Sequence, residues 1–272
     1  MSGGAFTTTD GARLAFVDEG HGLPVLWQHG LGADRAQPAE VFPATDGIRR
    51  ITLECRGHGR SELGDESRLS IAQFADDALA LLDHLRIDRA VVGGISLGAA
   101  IGLRIAALHP DRAEGLVLAR PAWIDEEGPD HLRIYRDVAR LIDTLGIEEG
   151  RRQFEREPRL AEVEAVSPDN AASMRWFFDR ADPRSTVALL SRVPAEGPGI
   201  SRAVMAGLRL PALVIGNDRD YVHTLATARA LASLVPGAIS VEITSKSVDR
   251  SRYVAEFKAA LETFLGDRRR LR

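Results

Sequence analysis

The chain holds a single cysteine, Cys55, in 272 residues, so no disulfide can form within it and nothing points to an oxidising compartment. A basic segment followed by an apolar one is missing at the N-terminus, and no later run approaches the length of a membrane span. A cytoplasmic chain without a membrane partner is the default expectation. The formal charge of −4 gives no reason to expect nucleic acid. Internal repeats and low-complexity segments are absent. The last absence concerns histidine: beyond His223 there is none. With 44% hydrophobic and 27% charged residues, the composition is that of an ordinary globular protein, long enough for one α/β domain with an insertion.

What is present begins with Gly94-Ile95-Ser96-Leu97-Gly98, between the apolar run Ala90-Val91-Val92 and the helix-like stretch that follows. A Gly-x-Ser-x-Gly sequence between strand and helix lets the chain turn sharply, because the glycines remove side chains that would collide there. The hydroxyl of Ser96 then stands at a helix N-terminus, where backbone N–H groups can stabilise an oxyanion. The pattern marks Ser96 as a nucleophile. A serine nucleophile needs a base, which sharpens the question posed by the missing histidine.

Around this motif, residues 12–17, 24–28, 48–54, 89–95 and 115–119 read as strands. Residues 70–85 and 96–108 read as helices, the first with Ser70 as N-cap and an apolar stripe at helical spacing. Such alternation predicts an α/β fold, a mostly parallel central sheet flanked by helices. From 122 to 209 the β-like runs stop, charge is dense and prolines break the helical stretches. This segment reads as a helical cap insertion in a core made of 1–121 and 210–272. The core pattern resumes with strands at 210–216 and 239–244 and helices at 224–234 and 250–265, and the basic tail 268–272 reads as a frayed, solvated end.

Together with His29-Gly30-Leu31-Gly32, Arg56-Gly57-His58-Gly59-Arg60-Ser61 and His109-Pro110-Asp111-Arg112, the serine motif makes the chain resemble the α/β-hydrolase superfamily along nearly its whole length. The resemblance implies an oxyanion hole formed by the backbone N–H groups of Leu31 and Leu97. It makes His29 and His58 hydrogen-bonding residues of their loops, with His29 near the substrate pocket. It also implies a catalytic acid after strand 210–216, where Asp220 fits better than Asp218.

The departure from the family lies after 239–244, where relatives commonly carry a histidine. Here the chain reads Ser245-Lys246-Ser247-Val248-Asp249-Arg250, which places the missing residue near Ser247. Three explanations stand open. Lys246 is the base, if desolvation lowers its pKa by about 3 units; the base comes from elsewhere, with His223 nearest in sequence; or the chain is a catalytically silent small-molecule binder or regulatory protein. Arg120 either meets a substrate carboxylate or pairs with Asp125, Glu126 or Glu127 of the cap. Trp123, Trp176 and Phe177 are candidates for lining an apolar pocket, with core packing as the alternative. The reading calls for a small-molecule substrate, probed most naturally among small esters and lactones, and for no cofactor and no metal.

Overall fold

The computed structural model describes residues 2–270. Strands β1 (Ser2–Thr7), β2 (Arg13–Gly20), β3 (Leu23–Gln28), β4 (Ile48–Leu53), β5 (Ala90–Ile95), β6 (Ala113–Ala119), β7 (Ala212–Gly216) and β8 (Ile239–Glu242) form one sheet. Their spatial order is β1-β2-β4-β3-β5-β6-β7-β8. The pairings β1–β2 and β2–β4 are antiparallel and all others are parallel. β5 is buried along its whole length, as an inner parallel strand covered on both faces must be.

Its two faces feed different cores. Val92 packs with α2 (Ile71–His84) and α3 (Leu97–Leu108), whereas Val91 and Ile95 pack with Tyr253, Phe257 and Leu261 of α10 (Arg250–Arg270). Ser70 caps α2 by accepting from the Gln73 N–H at 2.9 Å, which leaves Phe74, Ala78, Leu81 and Leu82 to bury the apolar stripe. α3 approaches the sheet closely: a Cβ on Gly98 would stand 2.5 Å from the carbonyl oxygen of Gln28 on β3.

β1 and the short helix α1 (Ala36–Val41) are elements the sequence reading lacks; the helix read at 224–234 is α9 (Leu225–Leu234). The strand is the more telling of the two. Its two glycines give a weak strand pattern, and it forms because all six residues pair with β2. The tail also differs from the expected frayed end. Arg268–Arg270 continue α10, and Arg269 donates to the carbonyl oxygen of Asp46; Leu271 and Arg272 lie outside the described residues.

Between β6 and β7 the described residues form no strand. They form α4 (Arg133–Phe154), α5 (Pro158–Val166), α6 (Pro168–Trp176), α7 (Pro183–Arg192) and α8 (Arg202–Ala206), with short 3-10 turns between. This helical layer meets the loops beyond the C-terminal ends of several strands. Phe177 packs on Gly32 after β3, Leu189 on Gly57 after β4, and Asn170 accepts from the Val222 N–H after β7 at 3.0 Å. Open α/β sheets bind ligands at that edge. No helix among the described residues is long and apolar enough to cross a membrane.

Candidate active site

β5 delivers Ser96 into a conformation few non-glycine residues adopt, with φ 56° and ψ −108°. Such a backbone costs of order 1–3 kcal/mol and persists only where its surroundings over-determine it. Here the Ser96 N–H donates to the Ala119 carbonyl at 2.9 Å, and the Ser96 carbonyl accepts the Ala99 and Ala100 N–H groups of α3 at 2.9 and 3.2 Å. The turn is thereby fixed at both ends. Ser96 is 6% exposed, and its hydroxyl makes no hydrogen bond to a described residue.

Opposite it runs the loop after β3. The N–H groups of Leu31 and Leu97 have no acceptor among the described residues, while their neighbours are engaged. The Gly32 N–H donates to His58 Nε2 at 2.9 Å, so His58 carries its proton on Nδ1 and donates it to the Arg56 carbonyl at 2.9 Å. His29 accepts the Cys55 N–H on Nε2 at 3.0 Å and donates from Nδ1 to the Gly30 carbonyl at 2.8 Å. Burial pushes both rings below their ordinary pKa, His58 well below it. Both therefore serve as neutral braces of the loops. His29, at 0% exposure with both nitrogens used, is no wall of a pocket, which corrects that expectation.

The loop after β7 folds inward. Asp220 is buried, and its Oδ1 accepts from both the N–H and the Nδ1–H of His223, at 3.0 and 2.9 Å. Asp218 is exposed. Oδ2 of Asp220 accepts from Arg120 Nε at 2.7 Å and lies 2.6 Å from its terminal nitrogen. Burial alone would raise the Asp220 pKa, but the Arg120 charge and the bonds from His223 prevail and hold it below the usual carboxylate range. Burial dominates at His223 and pushes its ring below the ordinary histidine value, against the pull of Asp220. The neutral ring thus points Nδ1–H at Asp220 and leaves Nε2 buried without a partner.

Arg120 departs from expectation. It sits at φ 45° just past β6, its guanidinium bonded to Asp220, 3.8 Å from Asp169 and 3.5 Å from the Tyr253 hydroxyl. The proposed cap partners are not its own; Asp125 pairs with Arg202 at 3.0 Å instead. The cause is topological, because β6 and β7 are neighbours in the sheet and bring residues 120 and 220 together. A charged residue closing an apolar strand was the available signal.

Lys246 is likewise not the desolvated amine that a base requires. Its side chain is 28% exposed, and Nζ lies 3.1 Å from Asp169 Oδ1. Ser247, near the position of the missing histidine, meets the Ser167 hydroxyl at 3.2 Å and accepts the Asp169 N–H at 3.3 Å, tying this loop to the start of α6.

The aromatic candidates separate. Trp176 is 49% exposed with Arg180 over its ring, so it lines no interior pocket. Phe177 is buried between Gly32 and Tyr135, whose ring it meets edge-on at 5.6 Å between centroids. Trp123 is buried with its Nε1–H unpartnered. Tyr135, close enough to Asp220 and Arg120 to feel their charges, is the site residue sequence reasoning missed. No group of three or more His, Cys, Asp or Glu suited to a metal ion occurs among the described residues.

Residues 24–149 match the family model of the α/β hydrolase fold. The chain is 28% identical over 239 residues to 2-hydroxymuconate semialdehyde hydrolase of Pseudomonas sp. (strain CF600), covering 84% of this chain and 81% of that protein. The crystal structure of the enol-lactonase from Burkholderia xenovorans LB400 superposes with a TM-score of 0.77 at 26% identity, covering 97% of this chain and 100% of the other. A shorter stretch of 106 residues, 39% of this chain, is 37% identical to the dihydrolipoyllysine-residue acetyltransferase component of an acetoin cleaving system from Pseudomonas putida, of which it spans 28%. These matches and the sheet order above show that the chain has the α/β-hydrolase fold.

Proposed function

We propose that this chain is a cofactor-independent serine hydrolase of small esters or lactones, with an altered triad of Ser96, His223 and Asp220 beneath a cap of residues 122–209. The observation that carries the reading is the Asp220–His223 pair, which fixes a neutral imidazole with a bare, buried Nε2. In the reaction, Ser96 Oγ attacks the substrate carbonyl while Nε2 takes its proton. The developing oxyanion is met by the N–H groups of Leu31 and Leu97. Collapse breaks the acyl–oxygen bond, and His223 returns the proton to the leaving alcohol. A water then attacks the acyl-enzyme by the same route and frees Ser96.

Nε2 and the Ser96 hydroxyl are not hydrogen-bonded in the free protein, so their contact has to close when substrate binds, as catalytic hydrogen bonds often do. Arg120 touches no reacting atom in this scheme; it positions Asp220. The names of the enol-lactonase relatives support a lactone, itself a cyclic ester, as substrate. Two observations favour a second reading, a silent small-molecule binder: the Ser96 hydroxyl has no base within bonding distance, and Arg120 occupies the second oxygen of Asp220. Intact-mass analysis after incubation with a fluorophosphonate separates the two. The hydrolase adds one adduct, lost in Ser96→Ala; no adduct on the wild type after long incubation gives the site to the binder.

A further inference from the structure

At the sheet edge, three and four strands from β5, which leads to Ser96, β2 and β1 floor a cavity of about 470 Å³. Small residues, Gly3, Ala5 and Ala15, leave its floor open, and Arg13, Arg35 and Arg60 stand at its walls. Every charged side chain lining it is an arginine. None of the three guanidinium groups has an ion pair or side-chain hydrogen bond with a described residue, whereas Arg49 and Arg50 on the adjoining strand are matched by Asp18 and Glu19. The nearby carboxylates bond to backbone amides rather than to these guanidinium groups. Buried Glu54 accepts the backbone N–H groups of Arg60 at 3.0 Å and Arg35 at 3.4 Å, and Glu62 accepts that of Arg13 at 2.9 Å. Glu54 thus ties together the two loops that carry Arg35 and Arg60.

Three arginines without acidic partners lining one concavity concentrate positive potential there, and the forked donors of a guanidinium group fit phosphate oxygens two at a time. The volume falls within the roughly 300–1,000 Å³ of small-molecule sites. We propose that Arg13, Arg35 and Arg60 form a binding site for a phosphate-bearing anion, separate from the serine site. The phosphate belongs either to a soluble phosphate ester or to a lipid headgroup, and the experiment distinguishes them.

Isothermal titration of inorganic pyrophosphate into the full chain should show saturable binding that weakens as salt rises. Each of Arg13→Gln, Arg35→Gln and Arg60→Gln should weaken it about tenfold, while the surface control Arg140→Gln leaves it unchanged. Thermal melts of every variant confirm folding, since these arginines make no side-chain bonds within the described protein. Co-sedimentation with phosphatidate vesicles, abolished by the same substitutions, without pyrophosphate binding assigns the site to a lipid headgroup. Absence of both, or binding indifferent to all three substitutions, overturns the proposal.

Discussion

At the scale of single residues, the site turns on which group takes the proton of Ser96. A neutral imidazole is a competent base only while unprotonated, and burial keeps His223 in that form below the ordinary histidine range. The hydrolysis rate should therefore rise from acid pH, inflect below about 6.5 and level off by neutrality. His223→Gln should lower kcat by about 10²–10⁴ and remove that inflection. Lys246→Met should leave both rate and pH profile unchanged, because its amine belongs to Asp169. A pH–rate profile of wild type and both variants on a small ester checks this, and the reverse pattern would return the role to the lysine. The parts of the candidate site legible in the sequence are those whose signal is local: Ser96 stands out by its flanking glycines, and Asp220 by its place in the loop after the strand 210–216, where the family resemblance puts the acid. Arg120 with Asp220 was out of reach, because 100 residues of chain separate two groups that only strand adjacency unites.

At the scale of elements, Arg180 is one of the side chains that join the helical layer between β6 and β7 to the loop after β3, the proposed oxyanion loop. Arg180 donates to the Gly32 and Gly57 carbonyls, each at 2.6 Å, and to the Thr186 hydroxyl at 3.0 Å. Phe177 fills the space over Gly32, where φ is 79° and a Cβ would meet its ring at 2.2 Å. The Leu31 amide is thus placed by a neighbour clamped from above. Arg180→Met should lower kcat about tenfold with little change in KM, since a misplaced donor matters most in the transition state, and Arg180→Lys should recover part of it. Steady-state kinetics beside a thermal melt is the check: a lower melting temperature with kcat intact would make the contact structural only. Elements with strong apolar periodicity, such as β5 and α2, were legible in the sequence. β1 was not, because its stability lies in pairing rather than in its own residues.

At the scale of the molecule, three histidines are buried in one fold: His29 and His58 beside the loop after β3 and His223 beside Asp220. All three have pKa values below the ordinary one, so the folded state resists protons that the unfolded chain accepts near pH 6.5. A depressed folded value contributes stability above the unfolded pKa and loses it as pH falls toward the folded value. Three such groups give a slope of up to about 4 kcal/mol per pH unit below that point. Asp220 and Asp10, whose carboxylates are held below the ordinary range, start to lose their contribution only as pH falls into the ordinary carboxylate range, well below 6.5. Acid unfolding should accordingly begin near pH 6.5, well above the carboxylate range. Urea midpoints measured between pH 7.5 and 5 should fall steadily, and His58→Gln should flatten the fall by about a third of its slope. Midpoints that stay constant down to about pH 5 would mean that these rings charge inside the fold without cost, contrary to their burial.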